Sequence, residues 1–170
     1  MAGTLIDVIE IAWAGPYTME EVAVLDRPED HGVVAIFGTH PVFGDDALLY
    51  IDGASDQTFA ERASRVRPWH KHLPSKPTVY LGRLGGVDSP AHAEWREQIQ
   101  RAARLLVFFH APPWNARGVD HHAVTTPTVV LNVGRRHRLQ LEVSTLWDQS
   151  AYDPDGGPWR TFAPSPPDED

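Results

Sequence analysis

The sequence predicts an α/β domain of the α+β type, with a small mixed sheet of three to five strands flanked by helices. Three observations predict it. Short β-branched or aromatic runs recur at 33–37 and 47–51, both bounded by Gly and Asp, and again at 78–81 and 128–132, which is the composition of strands. Two intervening segments carry apolar residues at helical spacing behind a capping residue. A chain of 170 residues, 42% hydrophobic and 22% charged, suits one domain with its own core.

Taken in order, residues 5–11 alternate loosely and form a first strand, which Trp13-Ala14-Gly15-Pro16 breaks. Thr18 caps a short helix beginning at Met19. The runs Val33–Phe37 and Ala47–Ile51 make a hairpin whose connection, Gly38 to Asp46, is long. A helix starts behind Asp56 as N-cap, with Phe59, Ala63 and Val66 as its buried stripe and Glu61 and Arg65 spaced for a surface pair. Thr78–Leu81 is another strand. Ser89-Pro90 starts the second long helix, which runs to about Phe109 with Trp95, Ile99, Ala102 and Leu106 on one face. Thr128–Asn132 is a further strand, so from residue 33 onward the order is β, β, α, β, α, β. Residues 1–162 read as one domain. The Pro-rich acidic stretch 163–170 has nothing apolar to bury and reads as a flexible tail.

Composition excludes several classes. No apolar run approaches the roughly 20 residues of a membrane span, and the start of the chain lacks a basic segment before an apolar one, so a cytoplasmic location is expected. Without cysteine there is no disulfide or thiolate zinc site. A net charge of −8 disfavours DNA, because phosphate binding needs Lys and Arg to displace counterions.

Several strings carry a resemblance. Gly32-Val33-Val34, Gly38-Thr39-His40-Pro41-Val42 and Leu48-Leu49-Tyr50-Ile51 follow one another, then Asp56-Gln57-Thr58-Phe59, Glu61-Arg62 and Val79-Tyr80-Leu81-Gly82-Arg83-Leu84. Arg104-Leu105-Leu106, His110, Pro112, Asn115, Leu131-Asn132-Val133-Gly134 and Glu142-Val143-Ser144 continue the series. Over residues 13–150 the chain resembles the GIY-YIG nuclease superfamily, in particular a bacterial group of similar length. The resemblance implies a tyrosine that assists the nucleophile, an arginine facing the phosphate, a glutamate carrying a Mg²⁺-type ion, and a supporting asparagine. Position by position, Tyr50, Arg62 and Asn115 match three of these.

Three positions depart from the pattern. Val34 stands at the first signature tyrosine and removes a hydroxyl that positions or deprotonates water. Asp52 stands at the signature glycine and adds a negative charge and a Cβ. Ala103, flanked in register by Ala102 and Arg104, stands where the metal-binding glutamate belongs, and a hard cation loses its main ligand. Glu94 and Glu97 lie too far up the same helix to replace it.

The resemblance and its lesions together imply a scaffold that has lost metal-dependent phosphodiester hydrolysis and whose cleft binds or transforms a small molecule or nucleotide. No cofactor is then expected, with Mg²⁺ or Mn²⁺ needed only where nuclease activity survives. Tyr50, Arg62, His40 and Asp52 are the candidate catalytic groups. Val34, Asn115, Trp114 and His110 are candidate ligand contacts, although a His110 cation at the helix end would also complement the helix dipole. Two alternatives stand beside this. One is an active endonuclease in which Asp52 supplies the metal carboxylate and His40 the base. The other is a non-catalytic nucleic-acid module, with Arg96, Arg101, Arg104, Arg135, Arg136 and Arg138 available for a basic face. The pairs His70/His72 and His121/His122 lack the spacing of a zinc site.

Overall fold

Alternating apolar residues in β1 and β3 and continuous apolar runs in the central strands build one curled sheet with helices on both faces. The computed structural model describes residues 5–25, 31–70, 73–85 and 92–147. The strands are β1 (Asp7–Tyr17), β2 (Gly32–His40), β3 (Gly44–Ala54), β4 (Thr78–Leu84), β5 (Thr128–Gly134) and β6 (Glu142–Ser144), and the helices are α1 (Met19–Ala23), α2 (Phe59–His70) and α3 (His92–His110). The sheet order is β3-β2-β4-β1-β5-β6. Only the β1–β5 pair is parallel; the others are antiparallel. The expected helix start at Ser89-Pro90, the Trp69–His72 side chains and the 163–170 tail lie outside the described residues.

Six strands exceed the three to five expected. The unforeseen one, β6, has three residues, too few for an alternation to be read. The first strand also runs through Trp13–Pro16 rather than ending there. A register shift between Ala14 and Tyr17 absorbs the Gly-Pro step, and pairing with β4 resumes at Tyr17–Val79. The hairpin connection shrinks to Pro41–Phe43, because pairing reaches His40–Gly44.

Helix starts follow local chemistry. Thr18 caps α1 with a reciprocal box, its hydroxyl accepting from Glu21 N while Glu21 accepts from Thr18 N. The same Thr-x-x-Glu box starts α2 at Thr58 rather than Asp56: Thr58 N donates to Glu61 Oε2 at 2.8 Å and Glu61 N to Thr58 Oγ1 at 3.3 Å. Glu61 therefore serves the cap.

The two sheet faces bury different partners. Toward α3, Ile11, Trp13, Ala35, Phe37 and Ile51 meet Ile99, Ala102, Leu105 and Leu106. Toward α1 and α2, Val34, Ile36, Val79 and Leu81 meet Met19, Val22, Phe59 and Ala63. At about 1.5–3 kcal/mol for each fully buried large side chain, these layers drive folding. Gly32 has a φ of 151°, and a Cβ there would run into the Gly82 carbonyl oxygen. The glycine is therefore a requirement of the β2–β4 crossing.

One polar group crosses the apolar layer. Trp13 Nε1 donates to Asn132 Oδ1 at 2.8 Å, and Asn132 Nδ2 donates to the Gln140 carbonyl at 2.8 Å. Asn132 is fully buried, so it joins β1, β5 and the turn before β6 at no cost in unpaired groups. Asn132→Ala orphans the indole N–H and the Gln140 carbonyl. Equilibrium urea unfolding is expected to read a loss of about 3 kcal/mol.

Candidate functional site

The edge strand β3 and the segment 111–127 define the site. An edge strand presents unpaired N–H and C=O groups to solvent, and here a side chain occupies them. Asn115 Oδ1 accepts from Ile51 N at 3.0 Å, and Asn115 Nδ2 donates to Ile51 O at 2.7 Å. Trp114 N adds a bond to Leu49 O at 3.1 Å. The loop is also anchored inside, where His122 Nδ1 accepts from Val124 N at 2.9 Å and the His122 ring packs edge-on against Phe108. A loop of this length without secondary structure is uncommon in a compact domain and usually functional.

Between β3, α3 and this loop lies an open cleft of about 650 Å³. Tyr50 and Asp52 line it from the strand, Ala103, Arg104 and Val107 from the helix, and Trp114, Asn115, Arg117 and His121 from the loop. Ala103 faces the strand closely: a Cβ on Gly53 would stand 3.3 Å from its methyl.

At the lip, three side chains form a closed network. Tyr50 Oη donates to Asp52 Oδ2 at 2.5 Å, the Arg62 guanidinium pairs with that same oxygen, and Gly53 N donates to Asp52 Oδ1 at 2.8 Å. Arg62 and Asp52 are 25% and 22% exposed, so the pair is partly shielded from water. Burial raises the Tyr50 pKa, and the nearby Arg62 charge opposes that rise. Tyr50 is thus a protonated donor at neutral pH. Asp52 has an ordinary strand backbone, with no positive φ, so its side chain is accommodated without strain.

The other expected site residues are dispersed. Val34 is 3% exposed, buried under α1 and α2, and reaches no cleft. His40 sits at the far end of the hairpin, stacked on Phe43, with Nδ1 accepting from Val42 N and Phe43 N. Since His40 pairs with Gly44 and Val34 with Asp52, roughly 20 Å of strand separates His40 from Asp52 at about 3.3 Å per residue. Asp45 accepts from Thr39, and Asp46 is held by His137 and Arg138. His110 lies outside the cleft. Its Nδ1 bonds the Leu106 carbonyl at 2.9 Å, its Nε2 accepts from Gln140 N at 3.0 Å, and burial lowers its pKa. The ring is therefore neutral, in contrast to the cation expected at the helix end.

A Mg²⁺-type ion needs several oxygen ligands in near-octahedral array. Asp52 is the only carboxylate among the described residues lining the cleft, and both its oxygens are engaged. No described group of three or more His, Asp or Glu side chains is arranged to hold a metal. These residues do not fit that ion.

The reading from sequence passed over Arg117 and treated Arg104 and His121 only as a surface cation and a zinc candidate. Arg117 stands two residues after Asn115, and that adjacency to a matched position was the available signal. Compared with protein-family models, curated proteins and solved structures, the chain matches none.

Two outcomes follow. Asn115→Ala leaves the Ile51 N–H and C=O without their partner. A stability loss of about 2 kcal/mol and faster hydrogen exchange at the Ile51 amide are expected. For His110, the unfolded imidazole titrates near about 6.5 and the folded one lower, so the unfolded chain takes up the proton first as pH falls. This contribution is complete above about 6.5 and is lost as pH falls through the folded pKa. Between pH 7.5 and 5.5 the urea midpoint of the wild type should drop further than that of His110→Gln.

Proposed function

We propose that this chain keeps a GIY-YIG-type scaffold, has lost metal-dependent phosphodiester hydrolysis, and uses the cleft beside β3 to bind a small organic molecule or nucleotide. The observation that carries this reading is the Tyr50–Asp52–Arg62 network. The phenol proton and the guanidinium are both committed to one carboxylate. The chemistry the resemblance implies needs that arginine on a phosphate, that tyrosine beside the nucleophile, and a carboxylate free for a metal. Val34 and Ala103, apolar at two further positions, support the same reading.

The nucleic-acid module draws less support. Its six candidate arginines do not share a free face: Arg96 pairs with Asp56, Arg101 with Asp7, and Arg138 with Asp46. Arg135 and Arg136 donate to the Gly15 and Leu139 carbonyls. Only Arg104 of that set lines the cleft.

A plasmid-nicking assay with Mg²⁺ or Mn²⁺ tests the proposal. No metal-dependent nicking above the buffer control is expected at any protein concentration. Robust cleavage that disappears in Arg62→Ala would overturn it.

A further inference from the structure

We propose that the ligand of this cleft is a small phosphorylated molecule carrying one flat ring, with Arg104 and Arg117 as the clamp on its phosphate. This rests on the cleft being a ligand site, as above, and adds the class of ligand.

The described guanidiniums differ in what they bind. In a chain of net charge −8, a surface arginine readily finds a carboxylate, and four of those described do. Arg62 takes Asp52, Arg96 takes Asp56, Arg101 takes Asp7 and Glu97, and Arg138 takes Asp46. Arg135 and Arg136 bond backbone carbonyls, Arg65 meets the Gln57 amide, and Arg83 lies over the Phe59 ring. Arg104 and Arg117 have no ion-pair, hydrogen-bond or ring partner among the described residues. They come from different elements, α3 and the 111–127 loop, and line one cleft.

That cleft holds no competing acid. Its one lining carboxylate, Asp52, is neutralised by Arg62. Two guanidiniums without a partner among the described residues thus line a volume whose local charge is opposite to that of the chain. Guanidinium forks match phosphate oxygens in pairs, and His121, exposed on the same wall, adds a third nitrogen donor.

Size and lining select the rest of the molecule. About 650 Å³ falls within the range of small-ligand sites, and Ala103, Val107 and Trp114 give the flat, apolar surface a ring requires. A polymer is disfavoured because the described arginines outside the cleft already have partners and offer no track for successive phosphates.

Calorimetric titration of the full chain at low salt tests this. The probes are the 5′-monophosphates of adenosine, guanosine, cytidine and uridine, the matching nucleosides, and inorganic phosphate. At least one monophosphate is expected to bind at least about tenfold more tightly than its nucleoside and than inorganic phosphate. Arg104→Ala and Arg117→Ala should each weaken it by about tenfold. Both arginines are exposed, so unfolding midpoints should stay at the wild-type value, and Arg→Lys at either site should recover part of the affinity. Nucleosides binding as tightly as their monophosphates, or arginine variants that bind normally, would overturn the phosphate assignment while leaving a ligand-binding cleft intact. Binding of no probe also overturns it. Metal-dependent nicking in the separate plasmid assay removes the underlying reading.

Discussion

The carboxamide of Asn115 bonds both the N–H and the C=O of Ile51, and the outer wall of the cleft depends on that pair. A carboxamide has the donor and acceptor geometry of a peptide group, so it fills one step of the ladder that a seventh strand would otherwise complete. Trp114 N on Leu49 O supplies another step. The edge is covered rather than left as a template for another chain. With the loop fastened there, Arg117 and His121 come to line the same volume as Arg104.

Charge is settled locally at the lip of the cleft. Asp52 introduces a carboxylate next to an arginine and a tyrosine, and one of its oxygens engages both. Through Asp52, Arg62 ties α2 to β3. On the other side of the strand, Gly53 and Ala103 are both small, and the two meet at near-contact distance. With Asp52 paired to Arg62, Arg104 and Arg117 are the cleft-lining charges that have no partner among the described residues.

Much of the fold was legible because it depends on local pattern. The α3 stripe Ile99, Ala102 and Leu106 is buried as its helical spacing requires, and the Thr18 cap forms as its chemistry requires. Misreadings arose where two local signals competed. Asp56 and Thr58 both offer an N-cap, and only Thr58 has a glutamate three residues on to complete the box. Gly15-Pro16 signals a break, but a bulge carries the strand past it. In the site, Tyr50, Asp52 and Arg62, which the sequence groups together, meet in space. His40 and Val34 were named with them and do not join them, because one lies at the hairpin tip and the other under α1 and α2.

By itself the sequence determined the helices, most strands and the two apolar faces, since periodicity and capping act over a few residues. It also carried the identity of the groups at the lip. Only the tertiary structure decided which charges remain unspent. Whether an arginine is free depends on carboxylates and carbonyls distant in sequence, as with Arg101 and Asp7 or Arg135 and Gly15. Arg104 and Arg117 therefore emerge as a pair only after every other described guanidinium has found its partner.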